Sequence, residues 1–408
     1  MDYNALVDIA ADIGYRLAMC GAETYRVEES VKRILTAYKI ESEVFAIPNC
    51  LIVGVKTPDG TSITRIRRIP FHGNDLDGVE QFNSLSRRIC SELPDPKLLP
   101  SWIKETESCR SSYRFHLYLL GNFCAAFGFA FLFGGTLIDG LCAGICGCLA
   151  GISGWLMTRF RVNTFFSTIF NAFIIALTAY ALGAAGIAHN TDTVVIGGLM
   201  LLVPGLLITN AMRDIIFGDT NSGINRIVQV FLVASAIALG TGVAWSISTG
   251  LWGMPVNPAP LNHSYIIQII ASIIGSLGFS IMFNAHGSGL PLCFLGGGLC
   301  WATFCTVLHF GGTDLMAGFC AAIVSAAYSE LIARVRKRPA ISYLVVSIMP
   351  MIPGAGVYYT TNYLVRGDIS AFAMQGFHTL AIAGTIAVGI LLVSSLVRFI
   401  TVLRHHKQ

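Results

Sequence analysis

The sequence predicts a mostly α-helical, polytopic membrane protein, with about ten spanning helices built as a 5+5 inverted repeat and preceded by a small cytoplasmic α/β domain. Three observations predict it. Charge is concentrated in the first part of the chain, a series of apolar runs follows, and a Pro-Gly signature recurs at fixed spacing.

The 408 residues are 54% hydrophobic and only 12% charged, about half the charge of an ordinary soluble domain. Of 27 Lys and Arg residues, 15 precede residue 115. Charge is then excluded from long stretches, as a bilayer requires, because a central Arg, Lys or Asp costs about 2.5–3.5 kcal/mol on an insertion scale. The net charge of +4 and the short basic clusters, such as Arg65-Ile66-Arg67-Arg68, indicate no nucleic-acid partner. Among the 12 cysteines, eight sit in apolar segments and none has C-x-x-C spacing. Cys142, Cys146 and Cys148 read as small packing residues rather than a metal site. The first twenty residues carry Asp2, Asp8 and Asp12 and no basic n-region, so the N-terminal region is expected to stay in the cytoplasm.

Residues 1–100 read as a small α/β domain, with a linker to 114. Tyr3, Leu6, Val7, Ala10, Ile13, Leu17 and Cys20 form one apolar helical face. Gly21 ends that helix, and Thr24 is placed to cap the next, from Tyr25 to about Tyr38. Two β-rich runs follow, Val44–Lys56 and Ser62–Ile69, separated by turn chemistry at residues 57–60. A third helix is expected from about Leu76 to Cys90. Pro94, Pro96 and Pro100 mark a linker.

Spans are expected near 117–135, 138–157, 164–184, 194–211, 227–248, 265–284, 290–308, 314–333, 341–362 and 376–398, in modules 115–250 and 262–408. Each run is about long enough for a ~30 Å hydrocarbon core. With a cytoplasmic N-terminus, the inside loops hold Arg159, Arg161, Arg213, Arg226, Arg334 to Arg338, Arg404 and Lys407, whereas the outside loops hold only Arg366. This positive-inside bias puts both termini in the cytoplasm of a bacterial inner membrane. Trp155, Trp245 and Trp252 fall near predicted interfaces. Gly140, Gly144, Gly147 and Gly151 fall at small-residue spacing suited to close helix packing.

The repeat carries the functional reading. Val203-Pro204-Gly205 and Ile352-Pro353-Gly354 lie 149 residues apart, and Gly218-Asp219 and Gly367-Asp368 share that offset, as do Met200 and Met349. Phe127-Gly128-Phe129 resembles Leu277-Gly278-Phe279 at offset 150. Five spans per half invert the second half, the architecture of secondary transporters that bind substrate at broken midplane helices. Pro removes a backbone donor and Gly permits unusual angles, so each motif should interrupt its helix. The half-helix that restarts there offers its positive end to an anionic group.

The stretch Gly21-Ala22-Glu23-Thr24-Tyr25-Arg26-Val27-Glu28-Glu29 resembles the N-terminal signature of the threonine/serine exporter family. So does Val203-Pro204-Gly205 through Asn210, Arg213, Asp214, Gly218, Asp219, Ser222, Gly223 and Arg226. Met349 to Gly354 with Tyr358 resembles the family's smaller C-terminal module, so the chain looks like a fusion of two modules. The resemblance implies export of small hydrophilic amino acids driven by the proton gradient. It also implies an alternative, dicarboxylate export, linked to the split form.

Candidate substrate-binding residues are Pro204, Gly205, Asn210, Arg213, Asp214, Pro353, Gly354 and Tyr358. Proton-coupling candidates are Asp314, Asp139 and Glu330, with His286 and His309 also weighed, because an ionisable group within the membrane is a functional candidate by default. Asp219, Ser222, Glu23 and Arg26 are gating candidates. Asn122, Asn171 and Asn284 are expected to make interhelical hydrogen bonds. No nucleophile is paired with a His, so the chain reads as no enzyme and calls for no cofactor or metal. Expected partners are a small-molecule substrate (amino acid or dicarboxylate), protons and the lipid bilayer, and a homo-oligomer is compatible with the pattern. An antiporter of small amino acids is the leading reading; a passive channel is the competitor from another class.

Overall fold

The computed structural model describes residues 2–57, 60–71, 73–253, 257–365 and 367–405. The chain divides into two compact units. The first comprises Met1–Ser112, Phe283–His286 and Ala333–Ser342; the second comprises Tyr113–Met282, Gly287–Ile332 and Tyr343–Gln408.

The first unit contains α1 (Tyr3–Met19), α2 (Thr24–Ala37), strands β1 (Ser42–Ile47), β2 (Cys50–Lys56) and β3 (Ser62–Arg68), then α3 (Leu76–Glu92) and α4 (Leu99–Cys109). The strands form an antiparallel sheet in the order β1-β2-β3. Period-two alternation puts Leu51, Val53 and Val55 of β2 into the core. There they meet the apolar face of α1: a Cβ on Gly14 would lie 2.8 Å from the Leu51 side chain, which would have to move to admit it. Three differences from the sequence reading have local causes. The run Val44–Lys56 is a hairpin of two strands, since Ile47 pairs with Cys50 and the chain turns over Pro48-Asn49. Glu23, not Thr24, occupies the N-cap of α2, without a side-chain cap bond. The Pro-rich linker folds: Asp95 caps a 3-10 turn, and α4 starts with Pro100 in its first turn, where the missing N–H costs nothing. The turn expected at 57–60 includes Pro58 and Asp59, which lie outside the described residues, as do Arg366 and Lys407.

Both inter-helix segments in this unit are gripped by α3. Asp75, its N-cap, accepts from Asn284 Nδ2 at 2.8 Å, and Phe283 O accepts from Leu76 N at 2.9 Å. Arg338 lies 3.5 Å from Glu80 and donates to Ser84 Oγ at 3.2 Å. Burial pushes the Glu80 carboxyl up, against the pull of Arg338 and Arg336.

The second unit is helical: α5 (Phe115–Leu132), α6 (Leu137–Arg159), α7 (Thr164–Ala184), α8 (Thr191–Leu199), α9 (Gly205–Phe217), α10 (Thr220–Trp252), α11 (Tyr265–Met282), α12 (Gly289–His309), α13 (Asp314–Arg336), α14 (Ile341–Ser347), α15 (Gly354–Val365) and α16 (Ile369–His405). Residues 333–336 of α13 and 341–342 of α14 count with the first unit. Among the described residues, eight helices are long and apolar enough to cross a membrane, and nine if the pair α14 and Met349–Leu364, bent by 41°, counts as one span. The protein is therefore a multi-pass membrane protein. The expected span 194–211 is divided between α8 and α9, neither long enough alone.

Several backbone features recur at the spacing of the sequence repeat. Gly218 and Gly367 both take positive φ, 99° and 77°. After each, an Asp caps the next helix: Asp219 accepts from Ser222 N at 3.3 Å and Asp368 from Ala371 N at 2.9 Å. Arg161 and Gly311, 150 residues apart, are both left-handed (54° and 81°). A small cluster of buried residues is made of matched positions: Ile208 with Val357, and Ala234 with Ala383.

Glycines bring helices together where lipid provides no hydrophobic drive. A Cβ on Gly144 would lie 2.5 Å from the Phe123 ring, and one on Gly147 would lie 2.6 Å from Asn122 O, so the glycine face of α6 packs on α5. A Cβ on Gly128 would lie 2.7 Å from Ala271 O and against Gly275; one on Gly278 would lie against Gly121 and 2.7 Å from Ala125 Cα. Ascending α5 thus means descending α11: the two helices are antiparallel. The contacts also exchange when the halves are exchanged. Phe129 and Phe279, matched positions, meet edge to face at 5.6 Å.

Candidate functional site

The site is built on the two interruptions. Five residues, 200–204, separate α8 from α9, and a 3-10 turn at Met349–Met351 separates α14 from α15. Pro204 is the N-cap of α9 (φ −79°, ψ 45°), one position earlier than the first-turn placement its chemistry favours, and Gly205 opens the helix. Local bonding is the same at both breaks: Val203 O accepts from Gly205 N at 2.8 Å and Ile352 O from Gly354 N at 2.6 Å. Pro204 O accepts from Ile208 N and Pro353 O from Val357 N, both at 3.1 Å.

The breaks lie on one another. A Cβ on Gly205 would overlap Ile352, and one on Gly354 would lie 2.7 Å from Met200 Sδ and 3.3 Å from Val203 Cγ1. Each glycine therefore faces the segment that precedes the other. Pro204, Gly205, Pro353 and Gly354, singled out from the sequence, come together.

A cavity of about 400 Å³ is lined by none of these four residues, though it reaches α8, which precedes the first break, and α15, which follows the second. Ile196, shortly before the first break, and Tyr358, one turn past the second, form part of its wall. Polar groups line the rest, with Asp192, Thr241, Asn257, Tyr359 and Asn362 prominent among them. Among the described lining residues there is no Lys, Arg or His. Trp245, expected at a lipid interface, lines the cavity and meets Tyr180 at 5.5 Å. Sequence reasoning missed Asp192; the signal was the Asn190 cap just before it, which fixes Asp192 in the first turn of α8.

Other candidates are placed elsewhere. Asn210, Arg213 and Asp214 lie further along α9, with Asn210 half-buried. Asp214 Oδ2 accepts from Arg226 Nε at 2.8 Å, and Arg213 is 3.9 Å from its other oxygen. All three charged groups are buried, so pairing offsets a desolvation cost of several kcal/mol per ion. Asp219 and Ser222 form the cap of α10 beside this cluster. Asp139, fully buried, accepts four hydrogen bonds: from Thr136 N (2.8 Å), Thr136 Oγ1 (2.7 Å), His189 N (2.7 Å) and Asn190 N (3.0 Å). It clasps the start of α6 to the α7–α8 connection. Asn190 donates to Pro258 O at 2.8 Å, and Asn257 accepts from Thr191 N at 2.9 Å, which fastens the connection between the halves to the start of α8. Asp314 is exposed in the first turn of α13, and Glu330 is half-buried further along it. His286 lies 2.9 Å from Asn284 O, and His309 ends α12 against Tyr265. Glu23 and Arg26 pair at 3.4 Å within the first unit. Burial would lower the Arg26 pKa, but Glu23 and Tyr25 outweigh it and hold it raised.

The three asparagines do not bridge membrane helices. Asn122 bonds back to Tyr118 O at 2.8 Å, Asn171 Nδ2 to Ser167 Oγ at 3.5 Å, and Asn284 serves the first unit. An amide can bond back to an oxygen one turn earlier on its own helix; Asn171 Oδ1 stays without a partner among the described residues.

Comparison with known proteins matches both halves. Residues 8–248 match a family described as "Putative threonine/serine exporter", and residues 268–396 match "Threonine/Serine exporter, ThrE". The boundary between the matches falls where α10 ends. The chain is 21% identical to the "Probable threonine/serine exporter" of Mycobacterium tuberculosis, over 96% of this chain and 77% of that one. It is 23% identical to the "Threonine/serine exporter" of Corynebacterium glutamicum, over 95% and 81%. It is 22% identical to the "Probable succinate transporter subunit YjjP" of Klebsiella aerogenes, over 62% of this chain and 96% of that one. No solved structure matches. The fused two-module form of the sequence, the apolar helices and these matches agree, and the chain belongs to the threonine/serine exporter family of membrane transporters.

Proposed function

We propose that this protein exports small hydrophilic amino acids of the threonine and serine type, coupled to protons, by alternating access about its two helix breaks. The observation that carries this reading is the reciprocal packing of Gly205 on Ile352 and of Gly354 on Met200 and Val203. Contacts that exchange with the halves imply a pseudo-two-fold axis. The antiparallel course of α5 and α11 supports placing that axis in the membrane plane, which makes the repeat inverted. The distribution of Lys and Arg supports cytoplasmic termini in a bacterial inner membrane.

The cavity chemistry favours an amino acid over a dicarboxylate. Asp192 attracts an ammonium group, and the hydroxyl and amide groups of Tyr358, Asn257 and Asn362 suit a carboxylate and a side-chain hydroxyl. A dianion would find no cation among the described lining residues to offset its desolvation. Efflux of radiolabelled threonine, serine and succinate from proteoliposomes, with and without a pH gradient, tests both parts. Threonine and serine should exit and respond to the gradient. Gradient-independent flux without counterflow would indicate a passive pore, and succinate flux alone would overturn the substrate assignment.

A further inference from the structure

Within the first unit, α2 and α3 leave a groove of about 380 Å³ that shares no residue with the cavity described above. On α2, Arg26, Glu29, Ser30 and Arg33 line it; on α3, Asn83, Ser86 and Arg87 do, so three guanidinium groups share the groove with one carboxylate. The sets follow the i, i+3, i+4, i+7 and i, i+3, i+4 spacing of a single helix face.

Two of the three guanidinium groups have acidic partners, Arg26 with Glu23 at 3.4 Å and Arg33 with Glu29 at 2.7 Å. Arg87 makes no ion pair among the described residues. Its pKa is lowered, first by burial and then by repulsion from Arg33 and Arg26, as like charges gathered in one place require. The second observation is independent. Asn83 is 7% exposed, and its Nδ2 has no hydrogen-bond partner. A buried N–H left unmade costs about 1–3 kcal/mol. A cationic groove with an unused amide donor in its wall is a site short of an acceptor.

We propose that this groove binds a small oxyanion, the carboxylate or phosphate group of a soluble metabolite, with Arg87 supplying the charge and Asn83 Nδ2 a buried donor. Ser30 and Ser86 add hydroxyl donors on either side. The site lies on α3. The same helix holds Asn284 through Asp75 and holds Arg338 through Glu80 and Ser84. The bound anion would therefore sit on the helix that holds both segments.

The test is thermal unfolding of the full chain in detergent, titrated separately with sodium phosphate and sodium succinate at ionic strength fixed with sodium chloride. At least one anion should raise the midpoint saturably. Arg87→Gln should weaken that response at least tenfold, and Asn83→Ala should weaken it as well; Arg65→Gln, on β3, should leave it unchanged. Arg87 is exposed, so Arg87→Gln remains informative if Asn83→Ala fails to fold. A phosphate-only or succinate-only response names the headgroup. No saturable response to either anion overturns the proposal. So does a response that Arg87→Gln leaves intact, as succinate bound in the transport cavity would produce.

Discussion

Gly205 and Ile352 face each other across the two helix breaks, so closely that a Cβ at position 205 would overlap the Ile352 side chain. Gly205→Val should reduce threonine efflux at least tenfold while the protein still inserts. Ile352→Ala should restore part of that loss in the double variant, because contacting residues couple non-additively. A double variant no better than the single would mean the contact is not what the valine disturbs.

The prolines set where the helices restart. Pro204→Ala and Pro353→Ala each return a backbone donor and favour continuous helix. Both should impair efflux at unchanged membrane abundance. Wild-type efflux by both variants would remove the breaks from the mechanism.

Reciprocity makes a quantitative demand on α5 and α11. Gly128→Val and Gly278→Val intrude on equivalent backbone contacts, and each should cost about 1–3 kcal/mol as an overpacking change. Thermal unfolding in detergent measures both. Midpoints lowered by very different amounts would contradict the exchange of contacts.

Asp214 is buried between Arg226 and Arg213. Arg226→Ala strands a buried charge and should destabilise the protein by about 3–5 kcal/mol, whereas adding Asp214→Asn should recover much of it. An undiminished unfolding midpoint in Arg226→Ala would show that the pair is hydrated in the membrane.

Cys20 is buried near Asp75, and burial first, then that charge, push its thiol up to about 11. A raised thiol pKa leaves little thiolate at neutral pH, and the thiolate is the reactive form. In single-cysteine variants at pH 7.5, Cys109, which is exposed, should react with maleimide at least tenfold faster than Cys20. Cys20 labelling should accelerate as pH rises toward 11. Equal rates at pH 7.5 would place Cys20 at a surface.

Much of the fold was legible because a bilayer writes its demands in composition. Charge exclusion located the helices from Phe115 onward, and the Pro-Gly pairs located the breaks, since both residues act on their own backbone. Cavity membership was harder to read. Asp192 stands in a polar stretch, Asn190 to Thr193, that looks like any loop preceding a helix, and only tertiary packing brings it to Tyr358 and Thr241. Asp139 shows the converse: an isolated acid at an apolar helix start suggested titration, but four donors from two segments engage it. α4 was hidden because proline in a first helical turn and proline in a linker are spelled alike.

The cavity wall supplied by α15 has a counterpart at the far end of the bundle. Moving back 149 residues turns Tyr358, Tyr359, Asn362 and Tyr363 into Thr209, Asn210, Arg213 and Asp214, and Tyr180 advances by 150 to Glu330. There Thr209 is buried with its hydroxyl unpartnered among the described residues, and Arg226 pairs with Asp214. If the halves trade roles, these residues become a cavity wall. That wall differs in charge from the one α15 supplies, so solute would be greeted by a guanidinium on one side of the bilayer and released past a carboxylate on the other. Directionality would then be inscribed in the residues where the twins have diverged.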